Sequence, residues 1–247
     1  MSDKIALVTG GGKRLGAKIA RALAEDGWHV IIHYNSSGAP ARAIEAAIRE
    51  DGGSAATVQF DLADSAGVNA LVDRLGRIDL LVNSASVFEQ DRPEDVEAGR
   101  LEHALRVNLM APVLLGTAMA RHHKTRASGC IINLLDQKLF NLNPDFFSYT
   151  LAKHALLGAT TTMAMALAPR VRVNGIAPGL TLPSGSQSQA EFEQAHQNNP
   201  MQGGSTPEDI VRAVRFIIAT PSMTGETITL DGGEHLMRRV RDVSIEP

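Results

Sequence analysis

Three side chains in the stretch "LLDQKLFNLNPDFFSYTLAKH" (134–154) are of types that move protons: Asp136, Tyr149 and Lys153. Tyr149 and Lys153 stand four apart, so on a helix they share a face and bring a phenol and an ammonium to one place. An ammonium beside a phenol favours the phenolate and draws the phenol down from a pKa of about 10 toward neutrality, where it is an efficient acid. Taken alone, the spacing fits an exposed helical pair equally well. Asp136 is harder to place. An ionised carboxylate cannot donate a hydrogen bond and repels charge growing on a carbonyl oxygen, whereas a carboxyl group suits proton exchange with a ring nitrogen.

Those groups need a frame, and the chain supplies one. Short apolar runs at 4–9, 29–34, 55–60, 78–83, 129–135, 171–177 and 226–231 read as strands. Between them, helical periodicity fits 14–26, 40–50, 65–75, 97–123, 149–167, 187–197 and 206–219. Strict alternation predicts βαβ units and a single α/β domain over 1–247, doubly wound in the Rossmann manner around a seven-stranded parallel sheet. The weakly patterned stretch 178–206 is expected to be a lid, and 234–247 a solvated tail carrying Arg238, Arg239 and Arg241.

The first strand runs into "TGGGKRLG" (9–16) and then a helix. Bare backbone N–H groups and a helix N-terminus at such a turn favour a phosphate. Two common templates fail: the P-loop needs Lys at 17 and finds Ala17, and GxGxxG needs Gly at 15 and finds Leu15. No acid occurs between Asp26 and Glu45 to hold a ribose 2′-hydroxyl. The second strand ends instead in "HYNSS", where His33, Tyr34, Asn35, Ser36 and Ser37 face the expected nucleotide, with donors for a 2′-phosphate; Arg14 is available from the first turn. The expected cofactor is NADP(H).

The remaining pattern, T-G-x-x-x-R-x-G, resembles the short-chain dehydrogenase/reductase family, with Arg14 in place of that family's middle glycine. The resemblance runs along essentially the whole chain. It implies cofactor contacts at Gly10, Lys13, Arg14, Leu15 and Gly16, at Asp61 and Leu62 for the adenine, and at Asn83, Ser84 and Ala85 in "NSAS" (83–86), which departs from the family's N-N-A-G at two places. It further implies a turn over the nicotinamide at Pro178-Gly179. By the same resemblance Tyr149 delivers the proton, Lys153 also binds the nicotinamide ribose, and Asn108 holds a water in the relay. Most of the family carries Ser where this chain has Asp136. Lys13-Arg14, Asp136 and Phe88 together look like the pteridine reductase branch, in which Phe stacks the substrate and a serine at the position of Ser86 binds it. Phe146 and Phe147 either line the same pocket or pack in the core.

Composition limits the alternatives. A net charge of −3 gives no bias toward nucleic acid or membrane, and no HExxH or Cys/His cluster supports a metal. The single cysteine, Cys130, reads as a buried inert thiol suited to a reducing cytoplasm, and "MSDKIALVTG" is too short for a leader or a membrane span. The expected activity is NADPH-dependent hydride transfer to a C=N bond of a small pterin-type substrate, by a homo-oligomer that family resemblance makes a tetramer. The rivals are a general carbonyl or 3-oxoacyl thioester reductase and a non-catalytic NADPH sensor or scaffold.

Overall fold

A computed structural model describes residues 4–124, 129–184 and 187–245. Its strands are β1 Ile5–Thr9, β2 His29–Tyr34, β3 Ser54–Gln59, β4 Leu80–Asn83, β5 Gly129–Leu134, β6 Val171–Pro178 and β7 Thr227–Leu230. All pair in parallel, in the order β3-β2-β1-β4-β5-β6-β7. Strand order reverses between β1 and β4, which opens a crevice above the carboxyl ends of the strands, where open α/β sheets bind ligands.

Helices α1 Arg14–Glu25, α2 Gly38–Glu50, α3 Val68–Leu75, α4 Ala98–Leu105, α5 Ala111–Arg121, α6 Phe147–Leu167, α7 Gln189–Gln197 and α8 Pro207–Ala219 complete the chain order. Successive strand residues point to opposite faces, so Ala6, Val8, Ile32 and Val82 pack under α1, α2 and α8. Leu7, Ile31, Leu81 and Ile131 pack against α3, α5 and α6 on the other side. Each such buried Leu or Ile contributes about 1.5–3 kcal/mol, so the two layers hold the strand ends rigidly beneath the crevice.

Two expectations need correction. The single helix expected over 97–123 is broken into α4 and α5 by a π-helical turn, Arg106–Met110. Pro112 has no N–H, so it cannot give the usual helical bond to the carbonyl of Asn108, and the ladder has to widen there. The tail is not a solvated end. Arg241 Nε pairs with Asp145 at 2.9 Å, Lys138 Nζ with Asp242 at 2.8 Å, and Arg239 with Glu234 at 3.3 Å. Of its three arginines only Arg238 is exposed. Cys130 is buried, and burial pushes its thiol up to about 11, as expected for an unreactive side chain.

Candidate active site

The phosphate end of the crevice is a backbone construction. Gly10 adopts φ +64°, and a Cβ there would lie 2.9 Å from the Cα of Ala85. A Cβ on Gly16 would lie 2.4 Å from the Gly10 carbonyl oxygen, so both positions require glycine. Thr9 Oγ1 accepts from the N–H groups of Ser84 (3.0 Å) and Ala85 (3.1 Å), which ties the turn after β4 to the end of β1. Helix α1 begins at Arg14 with no side-chain cap and no acid in its first turn, so its free N–H groups and dipole face the crevice. Arg14 itself has φ +51°, the left-handed region that its place in the glycine turn demands, and its guanidinium donates to the Pro183 carbonyl at 2.8 Å.

Lys13, Tyr34, Asn35, Ser36, Ser37, Asp61 and Leu62 line one cavity of about 230 Å³ beside the glycine turn. Ser37 caps α2 without using its hydroxyl. His33 borders this cavity but is spent elsewhere. Its Nδ1 accepts from the Gly10 N–H at 3.3 Å and its Nε2 bonds the Phe60 carbonyl at 2.9 Å, while burial lowers its pKa. A neutral His33 therefore braces the glycine turn and has no N–H left for a phosphate. Asn83 likewise turns inward, giving its amide N–H to Asn133 Oδ1 at 2.8 Å, and Asn133 passes the chain on to Thr160. His103 lines the same cavity and was not singled out from sequence, where a helical histidine gives no distinguishing signal.

Asp136, Tyr149, Lys153, Arg14, Leu15, Ser84, Ser86, Phe88 and Pro178 meet around a second cavity of about 590 Å³ that joins the glycine turn to the catalytic helix. Tyr149 sits in the first turn of α6. Asp91 fixes that turn from 57 residues away, accepting from the Ser148 N–H at 3.1 Å and from the Ser148 hydroxyl. The Tyr149 hydroxyl donates to Asp136 Oδ2 at 2.6 Å, and Asp136 Oδ1 accepts from the Lys138 N–H at 2.8 Å. Lys153 Nζ donates to the Leu134 carbonyl at 2.5 Å. Asn108 brackets the backbone of Val87, donating to its carbonyl and accepting from its N–H, both at 2.8 Å. Gly179 packs on Asp231 and donates to the Leu230 carbonyl at 2.8 Å, placing the turn after β6 over the cavity.

The electrostatics differ from the sequence expectation. Burial, and after it the Asp136 carboxylate, push the Tyr149 phenol well above its ordinary value. Burial lowers Lys153 to about 8, a shift that Asp136 opposes. Asp136 is itself raised, by burial first, against the bonds from Tyr149 and Lys138 that favour its charge. Lys153 thus does not set the Tyr149 phenol: burial first, and then the Asp136 carboxylate bonded to it at 2.6 Å, push it the other way. The arrangement is a phenol and a carboxyl sharing one hydrogen bond, with burial favouring the protonated form of each.

Of the phenylalanines, Phe88 and Phe146 form one aromatic cluster with Tyr149. Phe88 stacks on Phe146 with ring centroids 3.9 Å apart and meets Tyr149 edge-on at 4.7 Å. Phe146 backs Phe88, and Phe88, 40% exposed, offers its other face outward. Gln137, which sequence reasoning passed over, lines a further chamber of about 240 Å³ that Phe88, Asp136 and Tyr149 also border, and its buried Oε1 has no hydrogen-bond partner. Among the described residues no cluster of His, Cys, Asp or Glu could hold a metal, and no helix is long and apolar enough to cross a membrane.

Known proteins resemble this chain in sequence and fold. The family model for short chain dehydrogenase matches residues 4–194. Pteridine reductase 1 of Leishmania tarentolae is 33% identical, covering 95% of this chain and 97% of its own. A 3-oxoacyl-[acyl-carrier-protein] reductase of Synechocystis sp. is 31% identical, covering 94% and 97%. The crystal structure of FolM Alternative dihydrofolate reductase 1 from Brucella canis complexed with NADP superposes with a TM-score of 0.90 at 41% identity, covering 98% of this chain and 97% of that one. The chain belongs to the short-chain dehydrogenase family.

Proposed function

We propose that the protein is an NADPH-dependent reductase that transfers hydride to a C=N bond of a pterin-type substrate. The observation that carries this reading is the 2.6 Å bond from Tyr149 to Asp136. An ionised carboxylate there repels the oxyanion that forms when a ketone is reduced, so ketone reduction is disfavoured unless Asp136 is protonated, whereas a carboxyl group suits proton exchange with a ring nitrogen. The likeness to the FolM alternative dihydrofolate reductase and to the Leishmania pteridine reductase supports the same class of substrate.

The residues present fit the cofactor. Gly10 and Gly16 leave room for a pyrophosphate at the uncapped start of α1, and Lys13, Asn35, Ser36 and Ser37 provide donors where an NAD site would have an acid. Asp61 and Leu62 would hold the adenine, Lys153 the nicotinamide ribose, and Pro178 and Gly179 the nicotinamide. When bound, the dinucleotide supplies the hydride. On a 7,8-dihydropterin the hydride goes to C6 and Tyr149 protonates N5, with Asp136 joining a second proton transfer if a fully oxidised ring is taken. Phe88 stacks the ring, Ser86 bonds it, and Arg14 closes the anionic side. The described parts of the segment 178–206 act as a lid, with the Pro183 carbonyl held by Arg14; positions 185 and 186 lie outside the described residues. The apolar face of α6, with Leu151 and Met165 exposed, suits burial against a second copy in a tetramer.

Loss of nicotinamide absorbance with dihydrobiopterin, dihydromonapterin and dihydrofolate, under NADPH and NADH, tests the reading. Turnover of ketones and 3-oxoacyl thioesters alone would sink it. Two further outcomes are expected. Gln137→Leu removes an acceptor that an N–H of the heterocycle would satisfy, so KM for the dihydropterin should rise about tenfold with kcat little changed, as one unmade buried hydrogen bond implies. The pH profile should also report Lys153. Because its folded pKa is lowered to about 8, the ammonium is present below that pH and lost above it, so kcat/KM should fall as pH rises through about 8, and Lys153→Met should abolish that limb.

A further inference from the structure

We propose that residues 239–245 form a strap that sets substrate specificity, an inference that rests on the reductase reading and deepens it. Asp242, Val243 and Ser244 line the same chamber of about 240 Å³ as Phe88, Asp136 and Tyr149. The strap is bolted to the turn that Asp136 opens. Lys138, two residues on from Asp136 and only 2% exposed, pairs with Asp242 at 2.8 Å and is also held by Asn143. Asp145, fully buried, accepts from Arg241 Nε at 2.9 Å and from the Asp242 N–H at 2.9 Å. Asp242 Oδ1 accepts from the Ser244 N–H and hydroxyl at 3.0 and 2.6 Å, and the Arg239 N–H reaches Asn141 Oδ1 at 3.3 Å.

Buried ion pairs add little net stability but impose one geometry, since a displaced partner leaves a charge unpaired. Here the geometry they impose is the position of a chamber wall. Lys138 also stands over the Phe146 ring at 5.8 Å, so the network reaches the aromatic pair on which the substrate would lie. With the strap in place the chamber suits a flat bicyclic heterocycle and restricts bulk beyond it. Neither carboxylate oxygen of Asp242 is free for substrate, so its role is to position the wall rather than to bind.

Full-length Lys138→Met, Lys138→Arg and Val243→Ala would be compared with the wild type for NADPH affinity by fluorescence, and for kcat and KM on whichever substrate the wild type turns over best. That choice separates the two ideas: a best substrate that is no pterin sinks the pterin reading, while the strap is still judged on its KM. Lys138→Met is expected to raise KM at least tenfold with NADPH affinity unchanged, and Lys138→Arg to retain most of the wild-type value. Val243→Ala, which keeps the ion pairs, should improve kcat/KM for a substrate with a bulky side group relative to its small analogue by several-fold. If Lys138→Met does not fold, Val243→Ala decides alone. Unchanged KM and unchanged preference, or loss of NADPH binding in step with KM, would overturn the proposal.

Discussion

Tyr149→Phe is expected to lower kcat by about 10³-fold while NADPH binds with nearly unchanged affinity. The phenol reaches the reacting end of the cavity and its hydroxyl is bonded to Asp136 alone among the described groups. Removing a positioned general acid costs 10²–10⁴ in rate, about 3–5 kcal/mol of barrier. The ring remains, so the edge contact with Phe88 at 4.7 Å and the packing of α6 are preserved. Lys153 keeps its bond to the Leu134 carbonyl, which is why cofactor affinity should hold. Single-turnover kinetics beside fluorescence titration would check both halves. A variant with wild-type turnover would remove Tyr149 from the role of acid.

Asp136→Ser should reverse substrate preference. The serine hydroxyl can donate to a carbonyl oxygen, and one such donor is worth about 10²–10³ in kcat, so activity on ketones and 3-oxoacyl thioesters should rise from a low base. Turnover of a dihydropterin should fall by a comparable factor. The substitution also removes the negative charge that helps hold the Tyr149 phenol up, so the variant's Tyr149 should ionise at lower pH than the wild type's. Kinetics with both substrate classes across pH would show the reversal. Ketone activity that falls together with pterin activity would mean that Asp136 supports the site in a way unrelated to the identity of the reacting atom.

These residues also show where sequence reading succeeds and fails. Leu7, Ile31 and their neighbours alternate at the strand period, so the sheet is written in local pattern, and local pattern is what a sequence displays. Tyr149 and Lys153 are legible for the same reason, being one turn apart on one helix. The break at Arg106–Met110 was signalled by Pro112 inside an apparently continuous helical pattern, a signal the apolar periodicity on both sides masked.

What was not legible depends on partners distant in the chain. Arg241 looks solvated because its acid, Asp145, lies 96 residues away and reaches it only through the fold. Lys138 reads as a loop lysine until Asp242, 104 residues on, is placed beside it. Asp91 gave no hint of holding the start of α6. His33 and Asn83 were in the right loops, but a propensity argument places a side chain without saying which way it turns, and both turn inward. The expected downward pull of Lys153 on Tyr149 failed because it left out the burial of the phenol and the Asp136 carboxylate bonded to it.

The most direct test of the account is the fate of the transferred hydride. With NADPH carrying deuterium at its transferable position and a 7,8-dihydropterin as acceptor, the product examined by NMR should contain a single deuterium at C6, and Asp136→Ser should suppress its formation. An undeuterated pterin pool, alongside deuterium delivered to the carbinol carbon of a reduced ketone or 3-oxoacyl thioester, would contradict the account.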